Sequence, residues 1–202
     1  MHEEPRHRLV LSHEQLRVMD VKIRPGDTTL FHVHNVAALY VTISTAAVDI
    51  QLLNGNWGGT APAAAPNRKP GDVTVDTSYV RQPITHRVTN ISSRMFNLIA
   101  ITSSSVSPVD SVSPDLPGVL ELRNRWFTQS RALVSAGAVE RWYSAPSPTM
   151  IVQPVTGVAT VLLASGETHA LDAPGSWALV PEGARYRLSS LSSATLIVVQ
   201  VR

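Results

Sequence analysis

Cysteine is absent from all 202 residues of the chain. Its absence excludes disulfides, thiolate metal sites and cysteine nucleophiles. Charge is also sparse, with 16% of residues ionic and Lys+Arg exceeding Asp+Glu by only 17 to 15. The arginines are scattered (Arg6, Arg8, Arg17, Arg24, Arg68 and Arg81 in the first half), and no run of them tracks a phosphate backbone. Nucleic acid is therefore excluded as the expected partner. No stretch approaches the roughly 18–20 consecutive apolar residues that span a bilayer. The N-terminus, MHEEPRHRLV, lacks the apolar segment of a signal peptide, so the expectation is a soluble cytoplasmic protein. Gly58-Gly59 is not followed by a P-loop Lys-Ser/Thr, and no Gly-x-Ser-x-Gly nucleophile turn occurs.

Short apolar runs rich in Val, Ile, Leu and Thr fill the chain: Leu16 to Ile23, Tyr40 to Ile43, Phe96 to Ile101, Ala159 to Leu163 and Thr195 to Val201. Turn signals such as Pro25-Gly26-Asp27, Pro70-Gly71-Asp72 and Pro181-Glu182-Gly183 punctuate them. Short strands at close spacing with Gly/Pro turns read as an all-β sandwich or barrel. Helix evidence is thin, the one candidate being a short turn over Pro117 to Trp126. Residues 54–70 and 103–118 read as loops, and the second, rich in Ser and Pro, reads as a linker. It divides the chain into residues 1–112 and 113–202. Aligning Gly26 with Gly137 lays Leu16 over Phe127, Val21 over Ala132 and Ile23 over Val134, which suggests a duplicated β-domain.

The informative stretch runs from Gly26 to His34 and ends His32-Val33-His34. Histidines at i and i+2 on a strand point to one face, so their imidazoles can converge on one ion. A third histidine, His86, lies in another β-like segment, Pro83 to Asn90. Three histidines from two strands form a facial ligand set that leaves coordination positions open.

Gly-(x)5-His-x-His followed later by His-(x)3-Asn resembles the two cores of the cupin motifs. Residues 26–34 match the first, and His86 with Asn90 the second. The resemblance implies two double-stranded β-helix (jelly-roll) barrels in one chain, a bicupin. It also implies one divalent transition metal (Fe, Zn, Ni or Mn) on His32, His34 and His86, and dioxygenase-like chemistry on a small oxygenated substrate. The match has departures. Ala38 stands at the position of the usual glutamate ligand, and the Pro and Gly normally before the second-motif histidine are missing. In the second half, Gly175 to Tyr186 fits the second motif with Tyr186 replacing the histidine, while Tyr143 and Ala145 occupy the first-motif histidine positions. The second barrel is thus expected to keep the fold without the metal.

Beside the metal, parity makes Tyr40 an inward hydrogen-bond donor if Ala38 faces inward. Arg81, five residues before His86, is a candidate for binding a substrate carboxylate. His2, His7 and His13 belong to a polar N-terminal segment and are given no metal role. The alternative to an enzyme is a non-catalytic module that captures a small ligand or metal. Either would act as a monomeric pseudo-dimer or a homodimer.

Overall fold

The computed structural model describes residues 4–14, 16–59, 68–105 and 115–202. The chain divides into two compact units, Met1–Ser104 and Ser105–Arg202. The sequence linker centred near residue 112 falls largely outside the described residues, as does the middle of the 54–70 loop.

The first unit holds β1 (His7–His13), β2 (Leu16–Ile23), β3 (His32–His34), β4 (Ala37–Ser44), β5 (Val48–Leu52), β6 (Trp57–Gly59), β7 (Val73–Asp76), β8 (Ile84–Asn90) and β9 (Phe96–Ser103). They form two antiparallel sheets, ordered β1-β2-β9-β4-β7 and β3-β8-β5-β6. The second unit holds β10 (Val119–Arg123), β11 (Phe127–Val134), β12 (Tyr143–Ser144), β13 (Thr149–Val152), β14 (Val158–Leu163), β15 (Thr168–Leu171), β16 (Trp177–Val180), β17 (Arg185–Ser192) and β18 (Ala194–Val201). Its sheets run β10-β11-β18-β13-β16 and β12-β17-β14-β15, which is the same strand order, element for element. The architecture is all-β and of the antiparallel jelly-roll type seen in cupins. Among the described residues no helix is long and apolar enough to cross a membrane.

Period-2 alternation builds each interior. In β2, Met19, Val21 and Ile23 turn inward; in β9, Phe96, Leu98 and Ala100 do; from the facing sheet come Ile50 and Val88. Burying such side chains is worth roughly 1.5–3 kcal/mol each. In β8 the same alternation buries His86, Val88 and Asn90. The turn before β3 needs a left-handed residue, which Gly26 supplies at φ +74°, its N–H donating to the Asn90 carbonyl at 2.9 Å. Gly137 repeats both features in the second unit, at φ +74° with its N–H on the Ser190 carbonyl at 2.8 Å.

Two expectations are corrected. The Pro117–Trp126 stretch is not helical, since Val119–Arg123 is strand β10, paired with β11. This edge strand is mostly exposed, so it carries no apolar period for the sequence to display. The N-terminal segment is not simply polar and outlying either. His7–His13 is strand β1, with His7 opposite Val21 of β2.

Candidate metal centre

Strand β3 places His32 and His34 on one buried face and leaves Val33 outward. Antiparallel pairing with β8 sets His86 directly opposite His32. One nitrogen from each of the three rings lies within 4.8 Å of the other two, and all three residues are buried. The Nε2 atoms of His32 and His86 stand 3.1 Å apart. Two nitrogens bound to one ion at about 2.1 Å, with angles between octahedral and tetrahedral, stand about 3.0–3.4 Å apart. The spacing fits a shared ion.

Outer contacts hold two of the rings. His32 Nδ1 donates to the Leu30 carbonyl at 2.9 Å, which leaves Nε2 as a bare lone pair. His34 Nδ1 lies 3.1 Å from the Tyr40 hydroxyl; Tyr79 packs its ring 5.0 Å from that of His34, and the Asp76 carboxylate nearby helps raise the Tyr79 phenol. The Tyr40 oxygen can accept the His34 Nδ1–H, the tautomer that frees Nε2 for an ion. His34 Nε2 is then a bare lone pair, buried and without a partner. His86 has no outer partner: its Nδ1 is buried and unpartnered, and its Nε2 meets that of His32.

Burial governs the charge states. It pushes His86 down to about 3, helped by His32 nearby, and it lowers His32 and His34 as well. The imidazoles are therefore neutral at neutral pH, with lone pairs available to a cation. Burial raises Tyr40 and carries Tyr79 up to about 12, so both hydroxyls keep their protons. Bare, buried, convergent nitrogens with orienting partners fit a transition ion well.

Ala38 lies fully buried in the same core cluster as Tyr40, so a methyl group occupies the place where a fourth, carboxylate ligand is expected. Tyr40 is inward, as parity requires. Arg81 is exposed instead and does not line the cavity beside the triad. The 3-10 turn Ser78–Val80 precedes it and sends Tyr79 inward. Asn90 is a latch: its amide donates to the carbonyls of Ile23 and Arg94, and its oxygen accepts from the N–H and hydroxyl of Ser92.

Sequence reasoning missed Tyr79, Asp76 and His7. His7 is buried, lines the cavity, and packs its ring 4.4 Å from that of His32. The cavity measures about 40 Å³. That is room for about three water molecules, at roughly 10–15 Å³ each. Beyond His7, His34, His86 and the two tyrosines its wall is aliphatic and phenyl: Val21, Ile23, Ile50, Val88, Phe96 and Leu98.

Fold and site together define an all-β, cupin-type jelly roll carrying a buried histidine triad. The solved structures similar to the chain include salicylate 1,2-dioxygenase from Pseudaminobacter salicylatoxidans (TM-score 0.63, 11% identity, 93% of this chain and 71% of that one). A single-site mutant of that enzyme in complex with gentisate is similar at TM-score 0.67 and 10% identity, over 97% of this chain and 74% of that one. AerE from Microcystis aeruginosa is similar at TM-score 0.64 and 12% identity, over 98% of both chains. At such identity the likeness speaks for the fold alone. No protein-family model matches the chain, and no curated protein matches it in sequence.

Proposed function

We propose that the chain is a metal-dependent, dioxygenase-like bicupin whose N-terminal domain, within residues 1–112, holds one divalent transition ion on His32, His34 and His86. The C-terminal domain, 113–202, would be a cupin without metal ligands. The observation that carries this reading is the meeting of three neutral, buried imidazoles, two of them held by outer partners on Nδ1. The ion would supply Lewis acidity and, if iron, redox chemistry toward dioxygen. The protein's own part is binding and exclusion. The three imidazoles ligate, Tyr40 orients His34, and the aliphatic wall keeps bulk water out. Arg81, being exposed, is not part of the proposed substrate contact.

The small cavity and the methyl of Ala38 favour a second reading, a non-catalytic module that captures a metal or a small ligand. Elemental analysis of tag-free protein tests the shared premise. Near-stoichiometric metal, lost in His86→Ala and His32→Ala, is expected; a wild-type protein that retains none under metal-replete conditions overturns it. Oxygen consumption by the iron-loaded protein over diketones, thiols and phenolics then separates enzyme from binding module.

A further inference from the structure

Building on that metal-centre reading, the geometry points to His7 as a ligand-contacting residue of the same site: a fourth imidazole that hydrogen-bonds a small anion lodged beside the metal without itself ligating the ion.

Three observations converge on it. His7 is 7% exposed and shares the cavity wall with His34 and His86. Its Nδ1 is buried and has no hydrogen-bond partner. A stranded buried polar atom costs about 1–3 kcal/mol, and an anion in the cavity would relieve that cost. His7 also stands outside the group whose nitrogens all lie within 4.8 Å of one another, so the triad does not need it.

The segment carrying His7 is fastened before anything binds. The Glu4 side chain, wholly buried, accepts from the N–H groups of Leu30 and of Arg6. Arg6 grips Asp27 with two bonds, Nε to Oδ2 at 3.0 Å and Nη2 to Oδ1 at 2.7 Å. The His7 N–H donates to the Glu4 carbonyl at 2.9 Å, and the Arg6 carbonyl accepts from Lys22 at 2.9 Å. A tight turn with its ends tied to β2 and to the loop before β3 holds the His7 ring against His32. Positioning of this kind costs little reorganisation when a ligand arrives. The chemistry that fits is a small anion with an oxygen or nitrogen donor atom, since the cavity takes only a few heavy atoms.

Cobalt(II) and azide test this with tag-free wild type, His7→Ala and His7→Gln, each checked for folding by circular dichroism. Cobalt affinity from chelator competition is expected to stay within threefold of wild type in both variants. Azide affinity, read from the visible spectrum of the bound cobalt, is expected to fall about tenfold to a hundredfold in His7→Ala, as for loss of a hydrogen bond to a charged group. Because glutamine keeps a donor amide, His7→Gln should recover much of it. A tenfold or greater loss of cobalt affinity in His7→Ala would make His7 a metal ligand and overturn the assignment. Unchanged azide affinity in His7→Ala would reduce it to packing. A wild type that takes up no cobalt overturns the metal centre and the role of His7 with it.

Discussion

Replacing Tyr40 with phenylalanine isolates the contribution of one buried hydroxyl to the centre. Tyr40 is 3% exposed and its ring packs in the core, so the substitution removes an oxygen without opening a side-chain-sized hole. What it removes is the hydroxyl that can accept the His34 Nδ1–H, 3.1 Å away. In the metal-free protein a stranded N–H costs about 1–3 kcal/mol. The imidazole has an escape, however: moving the proton to Nε2, which faces the cavity, returns part of that loss. The cost then reappears on metal binding, because Nε2 must be bare to ligate. Removing the outer partner of a ligating histidine lowers metal affinity by about 10–100-fold, or roughly 1.4–2.7 kcal/mol. Tyr40→Phe is therefore expected to shift the urea midpoint of the apo-protein modestly and to weaken metal binding much more. Chelator competition measures the second quantity on tag-free protein. A dissociation constant within twofold of wild type would refute the orienting role of Tyr40.

Three further outcomes follow from the same residues. The unfolded chain binds protons at His86 near its ordinary value of 6.5 and the folded chain only near 3, so apo-protein stability should be full above pH 6.5 and decline toward pH 3. The slope is about 1.4 kcal/mol per pH unit for each such histidine; denaturation midpoints that stay flat between pH 6.5 and 4.5 would contradict the burial of neutral imidazoles. Ala38→Glu puts a carboxyl into a fully buried site, and should lower the apo melting temperature while making it rise steeply with added divalent metal; a variant insensitive to metal would place position 38 out of reach of the ion. In the second unit the Tyr186 hydroxyl is buried without a partner, so Tyr186→Phe should stabilise the protein by about 1 kcal/mol in urea denaturation, and a loss of that size would reveal an overlooked partner.

Much of this molecule was legible before any coordinates. The runs Leu16 to Ile23, Phe96 to Ile101 and Thr195 to Val201 are β2 and most of β9 and β18, because strands at the middle of a sheet are rich in apolar residues and admit few polar ones. His32 and His34 were legible because strand parity and the preceding Gly26 turn are local. His86 was legible as a histidine on a strand, though its pairing with His32 is a matter of register. His7 was not, because an edge strand with mixed polarity gives no period, and its burial comes from packing against a residue 25 positions away. Tyr79 and Asp76 enter through the same kind of tertiary contact. Arg81 stands exposed just after the turn at Ser78–Val80, three residues before β8 begins.

The matching strand orders put one further rung of the ladder in view. Where β3 and β8 set His32 opposite His86, β12 and β17 set Tyr143 opposite Tyr186, with ring centroids 5.7 Å apart. The same cross-strand socket thus accepts a pair of imidazoles or a pair of phenols, while the turns and inward apolar positions around it keep their pattern. Side chains at that rung are interchangeable as far as the scaffold is concerned. Chemistry can be written into it or erased from it with two or three substitutions, and a histidine set installed at Tyr143, Ala145 and Tyr186 would ask whether the second unit is a blank copy of the first.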